Sequence, residues 1–179
     1  MERPVALLVV LTPLTLDERG AFTSALVADY VDFLVDLGEV ADPVAALARA
    51  RAGIESEVEA AVQAGEEFWA AHNAEGATVG WLWVKCSVEG LPPSAAFLYQ
   101  ILVKPEVRRQ GYGTVMLAAL EHVLAAAGRS ELRLNVWDTN EAARRLYERA
   151  GYKLVERFPA KRQLHKRLPP ANPIRTHAG

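Results

Sequence analysis

The stretch Gln100-Ile-Leu-Val-Lys-Pro-Glu-Val-Arg-Arg-Gln-Gly-Tyr-Gly113 reads as an apolar strand that passes through a proline turn into glycines at the mouth of a helix. Free backbone N–H groups at a helix start carry partial positive charge, and glycines at 111 and 113 let a bulky anion approach them without a Cβ in the way. Arg108 and Arg109 add full charges beside those dipoles, so the segment is a candidate phosphate cradle. Spacing argues against two nucleotide loops. A dinucleotide fingerprint would place a third glycine where this chain has Met116, and a P-loop would end in Gly-Lys-Ser/Thr. Taken alone, the loop also fits a plain tight turn before a helix.

Working outward, the pattern alternates between the two periods. Val5–Leu11 is strand-like, and in Leu16–Leu37 the residues Phe22, Leu26, Tyr30, Phe33 and Leu37 recur at helical steps. Asp42-Pro43 opens a second helix, a cap followed by proline at the first helical position, running to about Ala64. Glu67–Asn73 and Val79–Val88 read as a hairpin around Glu75-Gly76, and Ser94–Val103 as a further strand after Pro92-Pro93. Gly113–Ala127 is a helix that Gly128 is placed to cap. Glu131–Val136 is a strand, Asn140–Ala150 a helix ending at Gly151, and Tyr152–Phe158 and Arg162–Leu168 are final strands. This order predicts a mixed α/β (α+β) fold in a single domain over residues 1–168. Residues 169–179, with three prolines and little to bury, are expected to form a flexible tail.

The chain has 179 residues, 51% of them hydrophobic, enough for one domain with a real core. Its net charge of −2 hides an asymmetry. Residues 1–95 carry five Lys/Arg against fifteen Asp/Glu, whereas residues 96–179 carry fifteen against seven. Uneven solvated faces would produce this, and so would a two-sided site with a polyanion on the C-terminal half and a cation facing the other. The single Cys86 cannot make an internal disulfide, which points to a reducing, cytoplasmic home, and its apolar strand setting marks it as core filler rather than nucleophile. Val5–Leu11, seven residues without a convincing basic leader or a small-residue cleavage pattern, reads as a strand and not a signal peptide, and no run reaches the roughly 18 apolar residues of a membrane span.

Two motifs, in order and with the right elements between them, resemble the GNAT superfamily of N-acetyltransferases. Val103-x-Pro105-x-x-Arg108-x-x-Gly111-x-Gly113 is similar to its acetyl-CoA pyrophosphate loop. Asn135-x-x-x-x-Asn140-x-x-Ala143-x-x-x-Tyr147-x-x-x-Gly151-Tyr152 is similar to its second cofactor motif. The resemblance covers about residues 5–168. It implies a mostly antiparallel sheet of about seven strands flanked by four helices, with two strands splayed to hold acetyl-CoA as cosubstrate. It assigns the pyrophosphate to Arg108, Arg109, Gln110, Gly111, Tyr112, Gly113 and Thr114, and the pantetheine arm to Ile101, Leu102 and Val103 in the manner of an added strand. Asn140 is implied as a further cofactor contact, although it is also a good N-cap. The implied reaction is direct attack of an amine on the thioester, without a metal. A backbone N–H in Ile101–Val103 would meet the oxyanion, and the phenol of Tyr147 would protonate the departing thiolate.

The chain departs from the family pattern at the general base. Relatives with a Gly-Trp-Leu-Trp strand, as at Gly80–Trp83, often read Tyr-Asp-Ile-Glu where this chain has Tyr99-Gln100-Ile101-Leu102. Neither Gln100 nor Leu102 can hold a proton at neutral pH. A water-mediated route to Glu66, Glu67, His72 or Tyr99 is one expectation, and an acceptor that binds already neutral is another. A non-catalytic acyl-CoA-binding or regulatory module on the same fold is the alternative function. A longer acyl group in a pocket of Trp81, Trp83, Leu98 and Leu102 is a third reading, set against their role as core. The acidic N-terminal half, including Asp29, Asp32 and Asp36, favours a small-molecule or peptide acceptor with a cationic amine. Neither nucleic acid nor membrane is expected as a partner, and a homodimer is left open.

Overall fold

A computed structural model describes residues 7–36, 38 and 42–170. Seven strands form one sheet in the order β1-β2-β3-β4-β5-β7-β6. They are β1 (Val10–Pro13), β2 (Glu67–His72), β3 (Thr78–Lys85), β4 (Ala95–Val103), β5 (Glu131–Trp137), β6 (Lys153–Arg157) and β7 (Lys161–Arg167). Neighbours run antiparallel except β4 and β5, which are parallel. Four helices complete the domain: α1 (Leu16–Asp36), α2 (Pro43–Gln63), α3 (Tyr112–Ala126) and α4 (Glu141–Arg149). The mixed α/β architecture expected from the sequence is therefore the one observed.

The helices sit in pairs on opposite faces, which explains the unbroken apolar run of β3. On one face Phe22 of α1 and Val58 and Ala61 of α2 pack on Ala70, Trp81, Trp83 and Leu102. On the other, Met116, Leu117, Leu120 and Leu124 of α3 and Tyr147 of α4 pack on Leu82, Val84, Ala96, Leu98, Leu132 and Leu134. A strand covered on both faces has no side to leave polar. The first face is anchored by aromatic rings. Phe22 lies 5.7 Å from Phe68, and Phe68 lies 5.0 Å from Trp83; such pairs add about 0.5–1.5 kcal/mol each beyond burial.

Helix ends follow their local chemistry. Thr15 caps α1 reciprocally with Glu18, each satisfying the other's N-terminal donors. Gly128, at φ +82°, closes α3: its N–H bonds Ala125 O at 3.0 Å and that of Arg129 bonds Leu124 O at 2.9 Å. That pair of bonds satisfies carbonyls the helix cannot.

The first strand differs from expectation. It begins at Val10 rather than Val5 and extends to Pro13, paired with Trp69–His72; residues 5 and 6 lie outside the described set. Its length is set by the edge of β2, and proline is tolerated because β1 is an edge strand of the sheet. The apolar Leu7 and Val9 instead pack on the α3/α4 core. The β3 strand likewise ends at Lys85, not Val88.

Two bulges decide which side chains face which layer. Opposite β2, Val79 is the extra residue between the pairs Ala71↔Gly80 and His72↔Thr78. Opposite β3, Tyr99 is the extra residue between Val84↔Leu98 and Trp83↔Gln100. Strand side chains alternate, so an extra residue reverses the alternation. Before the bulge the even-numbered Ala96 and Leu98 face α3 and α4; after it the odd-numbered Ile101 and Val103 do, while Leu102 faces α1 and α2.

Candidate active site

The β4–β5 pairing covers only Ala95–Leu98 against Glu131–Leu134. Beyond it β4 continues to Val103, held by β3, and β5 continues to Trp137, held by β7, with no pairing between them. The two strands thus splay at the Tyr99 bulge. One edge of β4 from 99 to 103 keeps its backbone donors and acceptors for something other than β5, because such groups require partners.

The glycine loop lies at the open end of this gap. A short 3₁₀ turn, Pro105–Val107, follows β4. Arg109 takes φ +66°, the one non-glycine in that region among the described residues, and Gly111 takes φ +94° as the N-cap of α3. Gly111 supplies no side-chain cap. Thr114 N–H bonds Gly111 O at 3.0 Å, which leaves the N–H groups of Tyr112 and Gly113 for water or an anion, at the positive end of the helix dipole. A Cβ at Gly113 would lie 3.4 Å from Leu146 Cδ2 and 3.7 Å from Val103 Cγ2, so the helix start is packed closely between α4 and β4.

The predicted loop residues divide by side chain. Arg109, Gln110, Gly111 and Thr114 are exposed, and Gln110 Nε2 donates to Glu106 O at 3.4 Å. Tyr112 is buried in the α3/α4 core, leaving only its amide for a ligand. Arg108 is engaged within the chain: its Nε donates to Val103 O at 3.1 Å and its Nη2 to Asp29 Oδ1 at 3.0 Å. This ties the loop to α1. Burial raises the Asp29 carboxyl above the ordinary aspartate range, and Arg108 only partly offsets it. Both side chains are about two-fifths exposed, so the pair is worth at most about 1 kcal/mol. Of the three aspartates that suggested a cationic acceptor, Asp29 is thus already paired, Asp32 is exposed, and the Asp36 side chain lies outside the described set.

On α4, Tyr147 is buried with its ring 5.6 Å from that of Tyr152. Burial pushes its phenol well above the usual tyrosine range, so it stays protonated at neutral pH. Asn140 is the N-cap of α4, its Oδ1 accepting from Ala143 N at 3.0 Å. Ile101 and Val103 border the α3/α4 side, and Leu102 is 4% exposed on the other. The four residues of the suggested acyl pocket do not line one space, since Leu98 lies on the opposite face from Trp81, Trp83 and Leu102.

The remaining titratable groups divide between the faces: Glu67 and Cys86 lie on the α3/α4 side with Trp69, and Glu66, Lys85 and Tyr99 on the α1/α2 side. Glu66 accepts from Trp83 Nε1 at 2.5 Å and pairs with Lys85 Nζ at 3.3 Å. Glu67 accepts from the Cys86 thiol, which burial and that carboxylate push up to about 11, leaving it unreactive. His72 bonds Thr12 at 2.9 Å and Thr78 at 3.3 Å near the edge of the sheet. Tyr99 stands against Trp83 with ring centroids 4.3 Å apart, with Lys85 Nζ 4.0 Å from its own centroid, and its hydroxyl donates to Glu57 of α2. Sequence reading missed Glu57 and Lys85. Glu57 sits among Glu55 and Glu59 in what reads as a wet helix face, and nothing in the sequence marks the bulge that turns Tyr99 towards it. Among the described residues no group of three His, Cys, Asp or Glu could hold a metal, and no helix is long and apolar enough to cross a membrane.

Comparison with known proteins gives a consistent result. The sequence model of the acetyltransferase (GNAT) family matches residues 39–152. The chain is 35% identical over 85 residues to YycN of Bacillus subtilis, an uncharacterised N-acetyltransferase, covering 48% of this chain and 54% of that protein. It spans about half the length of the first curated relatives it matches. The crystal structure of YycN superposes with a TM-score of 0.71 at 26% identity, over 84% of this chain and 95% of that one. The PaiA N-acetyltransferase of Thermoplasma acidophilum, solved in complex with coenzyme A, shares the fold at a TM-score of 0.68 and 16% identity, over 89% and 98% of the two chains.

Proposed function

The chain belongs to the acetyltransferase (GNAT) family, and on that premise we propose that it moves an acetyl group from acetyl-CoA to an amine by direct attack, without an acyl-enzyme or a metal. The observation that carries this reading is the gap between β4 and β5, opening beside the uncapped, glycine-led start of α3. A strand-like arm and a diphosphate are what those two features suit, and the PaiA neighbour is a coenzyme A complex.

When bound, acetyl-CoA supplies an activated acetyl thioester. The chain supplies the rest. Amides between Arg109 and Gly113, with the side chains of Arg108 and Arg109, hold the diphosphate, and the edge of Ile101–Val103 that β5 does not pair aligns the arm. A backbone N–H on that edge meets charge developing on the carbonyl oxygen; losing one such donor typically costs about 10²–10³ in rate. Tyr147, kept protonated by burial, gives its proton to the leaving sulfur. Asn140 fixes the start of α4 and hence the azimuth of Tyr147.

Thermal melting with acetyl-CoA, CoA and longer acyl-CoAs tests the ligand: acetyl-CoA raises the melting temperature, because it binds the folded form only. A flat response to all of them sinks the reading. Thiol release across a panel of amines tests the chemistry. Tyr147→Phe is expected to keep the acetyl-CoA shift and lose turnover by about 10²-fold. The second reading, a binding module without turnover, draws on Gln100 and Leu102 standing where acids are frequent; wild-type protein that binds acetyl-CoA and acetylates no amine supports it. A cationic acceptor fits the acidic α1/α2 side, and its KM should then rise with salt. A cytoplasmic location fits the lone, unreactive Cys86.

A further inference from the structure

We propose that Tyr99 and Glu57 form the proton path for the acceptor amine, with Tyr99 the catalytic residue at the nitrogen and Glu57 the terminal proton acceptor. The proposal rests on the acetyltransferase reading and supplies the base that Gln100 and Leu102 cannot be.

The bulge is the first reason. It places Tyr99 and Gln100, adjacent in sequence, on the same α1/α2 face at the point where β4 parts from β5. On a regular strand one of them would point into α3 and α4. Tyr99 therefore stands at the vertex of the gap, beside the position from which a base would act, and is 40% exposed.

Elimination is the second reason. The charged groups facing Tyr99 are Glu57 from α2, Glu66 from the turn before β2 and Lys85 from β3. Glu66 is occupied by Lys85 and the Trp83 indole. Glu67 is bonded to Cys86, and His72 is held beside β1. Glu57 is exposed, its bonded partner is the Tyr99 hydroxyl, and among the described residues no ion pair neutralises it.

The step balances on these atoms. The nitrogen of a bound alkylammonium sheds two protons, the later one to water as the C–S bond breaks; the first N–H bond breaks before attack, and the electron pair it leaves on nitrogen forms the C–N bond. That first proton joins Tyr99 Oη while the Tyr99 hydroxyl proton passes to a Glu57 oxygen. Glu57 then gives that proton to water, and both groups return to their starting forms. Lys85, over the Tyr99 ring, steadies the negative charge that builds on the phenol in transit.

The experiment measures kcat/KM against pH for wild type, Glu57→Gln and Tyr99→Phe, with acetyl-CoA as donor and butylamine as the probe acceptor, alongside melting with and without acetyl-CoA. Glutamine at 57 can still accept from Tyr99 and so keeps any structural tie between α2 and β4, yet it cannot take a proton. Both variants are expected to lose about 10²-fold in kcat/KM near neutrality. The loss should shrink as pH rises and the free amine becomes abundant, with the acetyl-CoA melting shift retained. Wild-type turnover and an unchanged acid limb in Glu57→Gln overturn the proposal, even if Tyr99→Phe is impaired. An absent melting shift in the wild type overturns the acetyl-CoA reading itself, which separates the two failures.

Discussion

On the α3/α4 side of the gap the candidate site is made of backbone: a helix start without a side-chain cap, glycines at 111 and 113, and a strand edge that β5 does not pair. On the α1/α2 side it is made of side chains: Tyr99 on Glu57, Glu66 on Lys85 and Trp83, Arg108 on Asp29. A backbone site tolerates any side chain that leaves the conformation alone, so it suits a ligand common to many relatives. A side-chain site changes with each substitution, and so suits the partner that differs between them. The contrast predicts that glycine substitutions strike cofactor binding, whereas Glu57→Gln strikes turnover alone.

The strongest way to break this comparison is at the joint between the halves. A Cβ on Gly80 would lie 2.3 Å from Leu102 O and 2.8 Å from Met116 Cε, and the first of these is backbone that cannot step aside. Gly80→Ala is expected to cost about 3 kcal/mol and to weaken both halves together, read by denaturant unfolding. A stable variant would mean that β3 and β4 can separate locally. Next comes Gly111→Ala. Its Cβ would meet only Leu7 at 3.6 Å, so the cost comes from φ +94°, about 1–2 kcal/mol. The acetyl-CoA melting shift should shrink as the loop relaxes, and an undiminished shift would remove the backbone cradle from the account. Asn140→Ala removes a cap worth about 1 kcal/mol, a melting change of about 2–4 °C, and should lower turnover more than acetyl-CoA affinity.

The smallest effect lies at the base of the gap. Burial would raise the Glu131 carboxyl, but hydrogen bonds from Arg133 and His165 outweigh it and hold the group below the ordinary glutamate range. A depressed carboxylate contributes stability above its unfolded pKa and loses it as pH falls through the folded value. Glu131→Gln should therefore lower the melting temperature at neutral pH and match wild type in strong acid. A difference that persists in acid would assign the effect to packing.

The backbone half was legible in the sequence because glycine, proline and cap residues announce conformation locally. The order of elements, the loop, the Asn140 cap and the Gly128 stop were all readable that way. The first strand was misplaced because its ends are set by the edge of β2, some 60 residues distant, and not by its own apolar run. The sequence marks Tyr99 only as one of four candidate bases, since strand alternation gives no sign that it and Gln100 share a face. Glu57 and Lys85 carry no local signal, because their roles come from what three elements bring to one bulge.

That bulge acts as a reading-frame shift within the strand. Remove one residue between Leu98 and Gln100, and Ile101, Leu102 and Val103 would exchange faces, turning Leu102 into the α3/α4 side and Ile101 and Val103 towards α1 and α2. Keep it, and the residues at 99 and 100 both face α1 and α2, where Tyr99 is fixed by Trp83, Lys85 and Glu57. One extra residue thereby gives two adjacent side chains to a single face at the point where β4 leaves β5.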